Sequence, residues 1–189
     1  MNYKLISAIA ALGFAFAAPV LALSKTEYST SESQLSVNRK AALDKCTPMT
    51  GTAKSICKTE AKGQYDVERA ELDATYKPSA KASYKVREVR ADVAYDVAKE
   101  KCSELSGDAK NVCRKDAKAA HVTAIADAKL SKLTSEAKTE DAKKVTEVRK
   151  DAAQDKSDAN YADAKERCDT LAGDAKTTCI TSAKTKFNK

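Results

Sequence analysis

The sequence predicts an all-α chain, an elongated up-down array of about six helices that forms three disulfide-closed helical hairpins. Three observations predict it. A stretch containing two cysteines occurs three times, as AALDKCTPMTGTAKSICKTEAK from Ala41, VAKEKCSELSGDAKNVCRKDAK from Val97 and DAKERCDTLAGDAKTTCITSAK from Asp163. All three copies fit A-x-[DE]-[KR]-C-x4-G-[TD]-A-K-x2-C-x3-A-K and together use all six cysteines. The chain around them is rich in Ala, Lys and Glu, which favour helix, and carries no strand signal.

The repeated unit demands a bend. Residues eleven apart in one helix are separated by ~16 Å along its axis, whereas a disulfide needs Cα atoms about 4.4–6.8 Å apart. Gly51, Gly107 and Gly173 supply the bend, since glycine takes the left-handed conformation that ends a helix. The residue after each, Thr52, Asp108 or Asp174, is expected to cap the next helix. Six cysteines allow fifteen connectivities. A self-contained unit repeated three times favours Cys46 with Cys57, Cys102 with Cys113, and Cys168 with Cys179. Metal binding or redox chemistry by these thiols is the competing reading, although the spacing lacks the C-x2-C of zinc and redox motifs.

In an antiparallel pair, facing residues have numbers of constant sum, which sets Ala42 against Ala61, Ala98 against Ala117 and Ala164 against Ala183. Small residues one turn from the bridge let the two backbones approach closely. The basic residue before each first cysteine, Lys45, Lys101 or Arg167, suits the negative end of its helix dipole.

In chain order, Met1–Ala22 reads as a secretory signal peptide. It has one early positive charge at Lys4, an apolar run from Leu5 to Ala18, and small residues before the expected cleavage point. The run is too short to span a bilayer. Export would place the cysteines in an oxidising compartment, the periplasm, where disulfides persist. Residues 23–33 are polar and expected to be a flexible lead-in. Hairpin repeat 1 is placed at 34–75, repeat 2 at 80–132 and repeat 3 at 136–189. The expected helices are 34–49, 53–75, 80–105, 109–132, 136–171 and 175–186. Pro78 makes the break between the first two units, with Ser79 as the next cap. A weaker break is expected at Leu133-Thr134-Ser135.

The core is expected to be thin. From Leu23 onward only 22 residues are Leu, Ile, Val or Phe, against 28 alanines. Narrow apolar stripes at helical spacing, such as Val86, Val89, Val93, Val97 and Ile56, Gly63, Val67, Ala70, point to thin packed rods and not to a globule with a deep pocket.

The formal charge is +7, from 34 basic and 27 acidic residues. The excess is well mixed, with no arginine cluster and no aromatic stacking stripe, which argues against a nucleic-acid partner. No catalytic, cofactor-binding or metal-binding residue is expected. The lone histidine, His121, takes the place that Tyr65 and Phe187 hold in the other units. It is expected to face Asn38, Ala94 or Asn160 equivalents across the hairpin as a packing residue. Asp151, Asp155 and Asp158 lie among lysines with no turn to add carbonyl ligands, so calcium is not expected there.

The motif C-x4-G-[TD]-A-K-x2-C-x3-A-K behind a signal peptide, over 38–189, resembles a group of exported Ala/Lys-rich cysteine-hairpin repeat proteins of Gram-negative bacteria, some labelled TolA-like. The likeness to TolA itself rests on helical composition alone, and its energy-coupled role does not carry over. The leading expectation is a non-enzymatic periplasmic protein, a cell-envelope-associated scaffold or interaction protein. Its partner would be a protein or an anionic envelope component, and no integral membrane segment would remain after signal removal. The alternatives are a periplasmic chaperone or stress-protective protein and, behind it, metal or redox handling through the cysteine pairs.

Overall fold

The computed structural model describes residues 23–137 and 141–189, and among these the chain forms six helices and no strand. They are α1 (Lys25–Lys45), α2 (Gly51–Tyr76), α3 (Ala80–Cys102), α4 (Gly107–Glu136), α5 (Ala142–Asp169) and α6 (Gly173–Phe187). The signal-peptide reading of Met1–Ala22 falls outside the described residues. No described helix is long and apolar enough to cross a membrane.

Each helix packs only against its neighbours in sequence. The result is a single layer of up-down helices and not a closed bundle. The bridges Cys46–Cys57, Cys102–Cys113 and Cys168–Cys179 join α1 to α2, α3 to α4 and α5 to α6, each with a Cα–Cα distance of 5.6 Å. Alternation of direction puts all three at one end of the layer. The α2–α3 turn, built on Pro78 and capped by Ser79 Oγ accepting from the Ala82 amide at 3.0 Å, lies at the other.

Four boundaries differ from expectation. The flexible lead-in is wrong for residues 25–33, which are helical. Ser24 and Glu27 close a capping box, the Glu27 amide donating to Ser24 Oγ at 3.2 Å and the Ser24 amide to Glu27 Oε2 at 2.8 Å. Two orphan donors are satisfied at once, which fixes the helix start. Tyr28 then stacks on Tyr76 at 4.5 Å between centroids and holds the new turn down.

Gly51, Gly107 and Gly173 do take left-handed φ values of 57°, 55° and 57°. They stand, however, at the first residue of the second helix and not at the end of the first. The first helix stops within one residue of the cysteine, and a tight turn follows in which the amides of Met49, Leu105 and Leu171 donate to the carbonyls of Cys46, Cys102 and Cys168. Thr52, Asp108 and Asp174 therefore lie inside the first helical turn and cap nothing. The N-cap positions are Thr50, Ser106 and Ala172, none with a side-chain cap bond.

The third correction concerns Leu133-Thr134-Ser135. Thr134 Oγ1 donates to the carbonyls of Leu130 and Ser131, and Ser135 Oγ to that of Lys132. Hydroxyls that bond back to their own helix do not start another one, and α4 runs on to Glu136. The fourth correction follows from it, since α5 begins at Ala142 instead of 136.

Among the described residues the buried apolar ones are only alanines and cysteines, joined by the buried Gly63. Ala117 and Ala183, two of the alanines placed opposite one another by the sum rule, are among them. With side chains this small, helices pack closely but remove little apolar area from water, on the scale of ~25 cal/mol per Å². The outermost helix is more polar than its repeat partner. Thr30 and Ser33 in α1 stand where α3 has Val86 and Val89, and Val37, the counterpart of Val93, is 62% exposed. Such a face terminates a repeat array.

Candidate functional site

The three hairpin tips are the most repetitive feature of the surface. Cys46, Cys102 and Cys168 are at most 1% exposed, so each bridge is sheltered from its first-helix side. Three residues further on, Met49, Leu105 and Leu171 are 40%, 43% and 43% exposed. These are three of the four exposed large apolar side chains among the described residues, and they occupy one repeat position. Sequence reasoning missed them. The signal was in the motif itself, where the third of the four residues between cysteine and glycine is Met, Leu and Leu. Each tip also has a lysine in the first turn of its second helix, at Lys54, Lys110 and Lys176. Lys54 Nζ closes the first tip by donating to the Thr47 carbonyl at 3.1 Å, and Lys176 pairs with Asp169 at 2.9 Å in the third.

Behind each tip, at the same distance from the bridge, lies a paired rung. Arg39 sits over the Tyr65 ring at 4.8 Å, Tyr95 lies 4.9 Å from His121, and Tyr161 lies 6.3 Å from Phe187. His121 is thus in the packing position expected of it. Its partner, though, is Tyr95 and not Ala94, and the equivalents are Arg39 and Tyr161, not Asn38 and Asn160. The simple sum rule is one residue off because two round helices interdigitate and do not meet atom over atom. His121 Nε2 is 2.7 Å from Asp92 Oδ1, and its ring is mostly covered. A second rung repeats further from the tip, Tyr28 on Tyr76 in the first unit and Lys132 over Tyr84 at 5.6 Å in the second.

Successive hairpins are joined by the same pair of ion pairs. Between α2 and α3, Glu60 meets Lys101 at 2.9 Å and Glu71 meets Arg90 at 2.5 Å. Between α4 and α5, Asp116 meets Arg167 and Asp127 meets Lys156. Each residue of the first joint has its repeat counterpart in the second. Exposed pairs of this kind contribute at most about 1 kcal/mol each. Their effect is on register, since an antiparallel slip of one turn would set every pair apart.

Two carboxyls near these joints titrate abnormally. Burial, reinforced by the neighbouring Asp116, pushes the Asp163 carboxyl up from its ordinary value against the opposing pull of Arg167. The Lys189 ammonium, with help from Gln154, holds Asp158 down. Asp158 is therefore spoken for by the chain itself, and among the described residues no group of three or more His, Cys, Asp or Glu side chains is placed to hold a metal ion. All six cysteines are bridged.

Comparison with protein-family models, with curated proteins and with solved structures found no match, so the reading of function rests on the geometry above.

Proposed function

We propose that this chain is a non-enzymatic, exported helical protein that acts by contact, as an envelope-associated scaffold or interaction protein of the periplasm. The observation that supports this reading is the row of three exposed apolar side chains, Met49, Leu105 and Leu171, each held rigid by its own disulfide. A flexible loop loses conformational freedom when it binds, whereas a tip fixed beforehand does not. Neighbouring helices pack 8–10 Å apart, so tips two helices apart stand roughly 20 Å from one another. One extended partner can be touched at three places. His121 is engaged with Tyr95 and Asp92 and serves packing.

The test is site-specific photo-crosslinking in the native compartment. A crosslinker at Leu105 is expected to give discrete adducts, and one at the open end, at Ala137, is not. Adducts at neither position, or equally at both, would remove the tips from the contact surface. The same tips also suit a chaperone that holds unfolded clients through apolar contacts. That reading expects suppression of client aggregation at stoichiometric ratios, abolished when Met49, Leu105 and Leu171 are all changed to Ser.

A further inference from the structure

A groove of about 810 Å³ opens between α1, α2 and α3 toward the end opposite the disulfides. Tyr28 of α1 borders it on one side, Ala82, Val89 and Val93 of α3 on the other, and the buried Ala70 of α2 lies beneath. The groove exists because α1 and α3 each pack on α2 but not on one another.

Its polar groups divide into those already satisfied and those that are not. Tyr28 donates to Asp73 at 2.5 Å and accepts from Arg69 at 3.0 Å, and Arg69 also reaches Glu32, so this cluster is closed on itself. Lys85 is paired with Glu88 at 2.7 Å, and Asp96 with Lys99 at 3.0 Å. Asp92 is bonded to His121. Lys81 has no acidic partner among the described residues, and Lys77 lies over the Tyr76 ring, 5.3 Å from its centroid. The two lysines flank the mouth of the groove at the α2–α3 turn, while Asp66, Asp92 and Asp96 gather toward the disulfide end.

We infer that this groove binds a single-chain anionic amphiphile, its charged head at Lys77 and Lys81 and its alkyl chain along Ala82, Val89 and Val93. The thirteen residues from Lys81 to Val93 span ~18 Å of helix, a length suited to an extended acyl chain. Eight of the fifteen lining residues are charged, five of them engaged within the chain as described, and 810 Å³ falls in the size range of small-molecule pockets. The three aspartates fix the direction of binding, because a head group placed at their end would meet like charge. They also reject ligands anionic at both ends.

The inference stands apart from the contact role of the tips and is tested separately. The oxidised protein is titrated below micelle-forming concentration with laurate and with the uncharged dodecyl maltoside, and is mixed with phosphatidylglycerol vesicles. Saturable one-to-one laurate binding is expected, with dodecyl maltoside weaker by about tenfold or more. The double change Lys77→Glu and Lys81→Glu is expected to weaken laurate by a similar factor, and Ala82→Trp to block it, with helicity unchanged by circular dichroism. If Ala82→Trp unfolds the chain, the lysine variants alone decide. Equal binding of laurate and dodecyl maltoside, laurate affinity unchanged in the lysine variants, or binding to vesicles only would each overturn the inference. An anionic lysophospholipid titrated alongside separates a lipid source from a free acid: tighter binding than laurate assigns the head group to a phospholipid, weaker binding to a carboxylate.

Discussion

Val93 fills the space that a side chain on Gly63 would need. A Cβ built on Gly63 would stand 2.3 Å from Val93 Cγ1, and valine, branched at Cβ, has little freedom to turn aside. Gly63→Ala is therefore expected to destabilise the α2–α3 joint by ~1–3 kcal/mol, the usual cost of overfilling a packed contact. Val93→Ala in the same chain should recover most of that loss. Urea unfolding of the two single variants and the double variant measures the coupling. Additive losses would mean that the two residues do not meet.

Gly107 makes the opposite case. Nothing lies within 4 Å of the position a Cβ would take, but its φ is 55°. Gly107→Ala is expected to cost about 1–2 kcal/mol from backbone strain alone, and Gly107→Asn less, since asparagine tolerates that conformation. A clash would penalise the larger asparagine more, so the order of the two variants in thermal melts distinguishes strain from crowding.

Removing the middle bridge by Cys102→Ser and Cys113→Ser is expected to lower stability by ~3 kcal/mol, as for closure of a loop of this size. The thin core gives little to fall back on. Denaturant unfolding with and without reductant checks it, and reductant should leave the variant's remaining two bridges as its only sensitive sites.

Asp163 supplies a pH dependence. Its carboxyl is pushed up by burial and by Asp116, so the folded chain holds that proton more tightly than the unfolded chain does. The stability this gives is complete below the ordinary carboxylate value and is lost as pH rises through the raised one. Asp163→Asn, neutral throughout, is expected to match the parent in acid and to be the more stable at neutral pH. Melting curves across pH 3 to 8 test the sign.

His121→Phe should be tolerated, because Phe187 already holds the equivalent rung. His121→Ala should cost more, through the lost contact with Tyr95. Comparable losses in the two variants, measured by thermal unfolding, would shift the weight to the Asp92 bond.

Much of this architecture can be read before any coordinates. The cysteine spacing is incompatible with one straight helix, and threefold repetition favours local pairing, so the hairpins and bridges follow. Pro78 breaks the chain where its ring requires. What escaped notice depends on partners far away in sequence. Ser24 and Glu27 form a legible capping box, yet the polar stretch around them looked unstructured because Tyr28 finds its support forty-five residues on, at Asp73. The exact closing of each turn was hidden because a glycine with positive φ ordinarily marks the end of a helix, whereas here it opens the next one. The exposed tips were overlooked because a single Met or Leu in a turn carries no periodicity. Only comparison of the three units reveals it.

The two joints between hairpins share one design, Glu60, Glu71, Lys101 and Arg90 in the first recurring as Asp116, Asp127, Arg167 and Lys156 in the second. A joint that fits its own copy makes the middle hairpin interchangeable in kind: a duplicate of it, spliced between units, would find matching charges on either flank. Gene duplication could lengthen such a molecule in fixed strides, each adding one more Leu105-like prong to the comb.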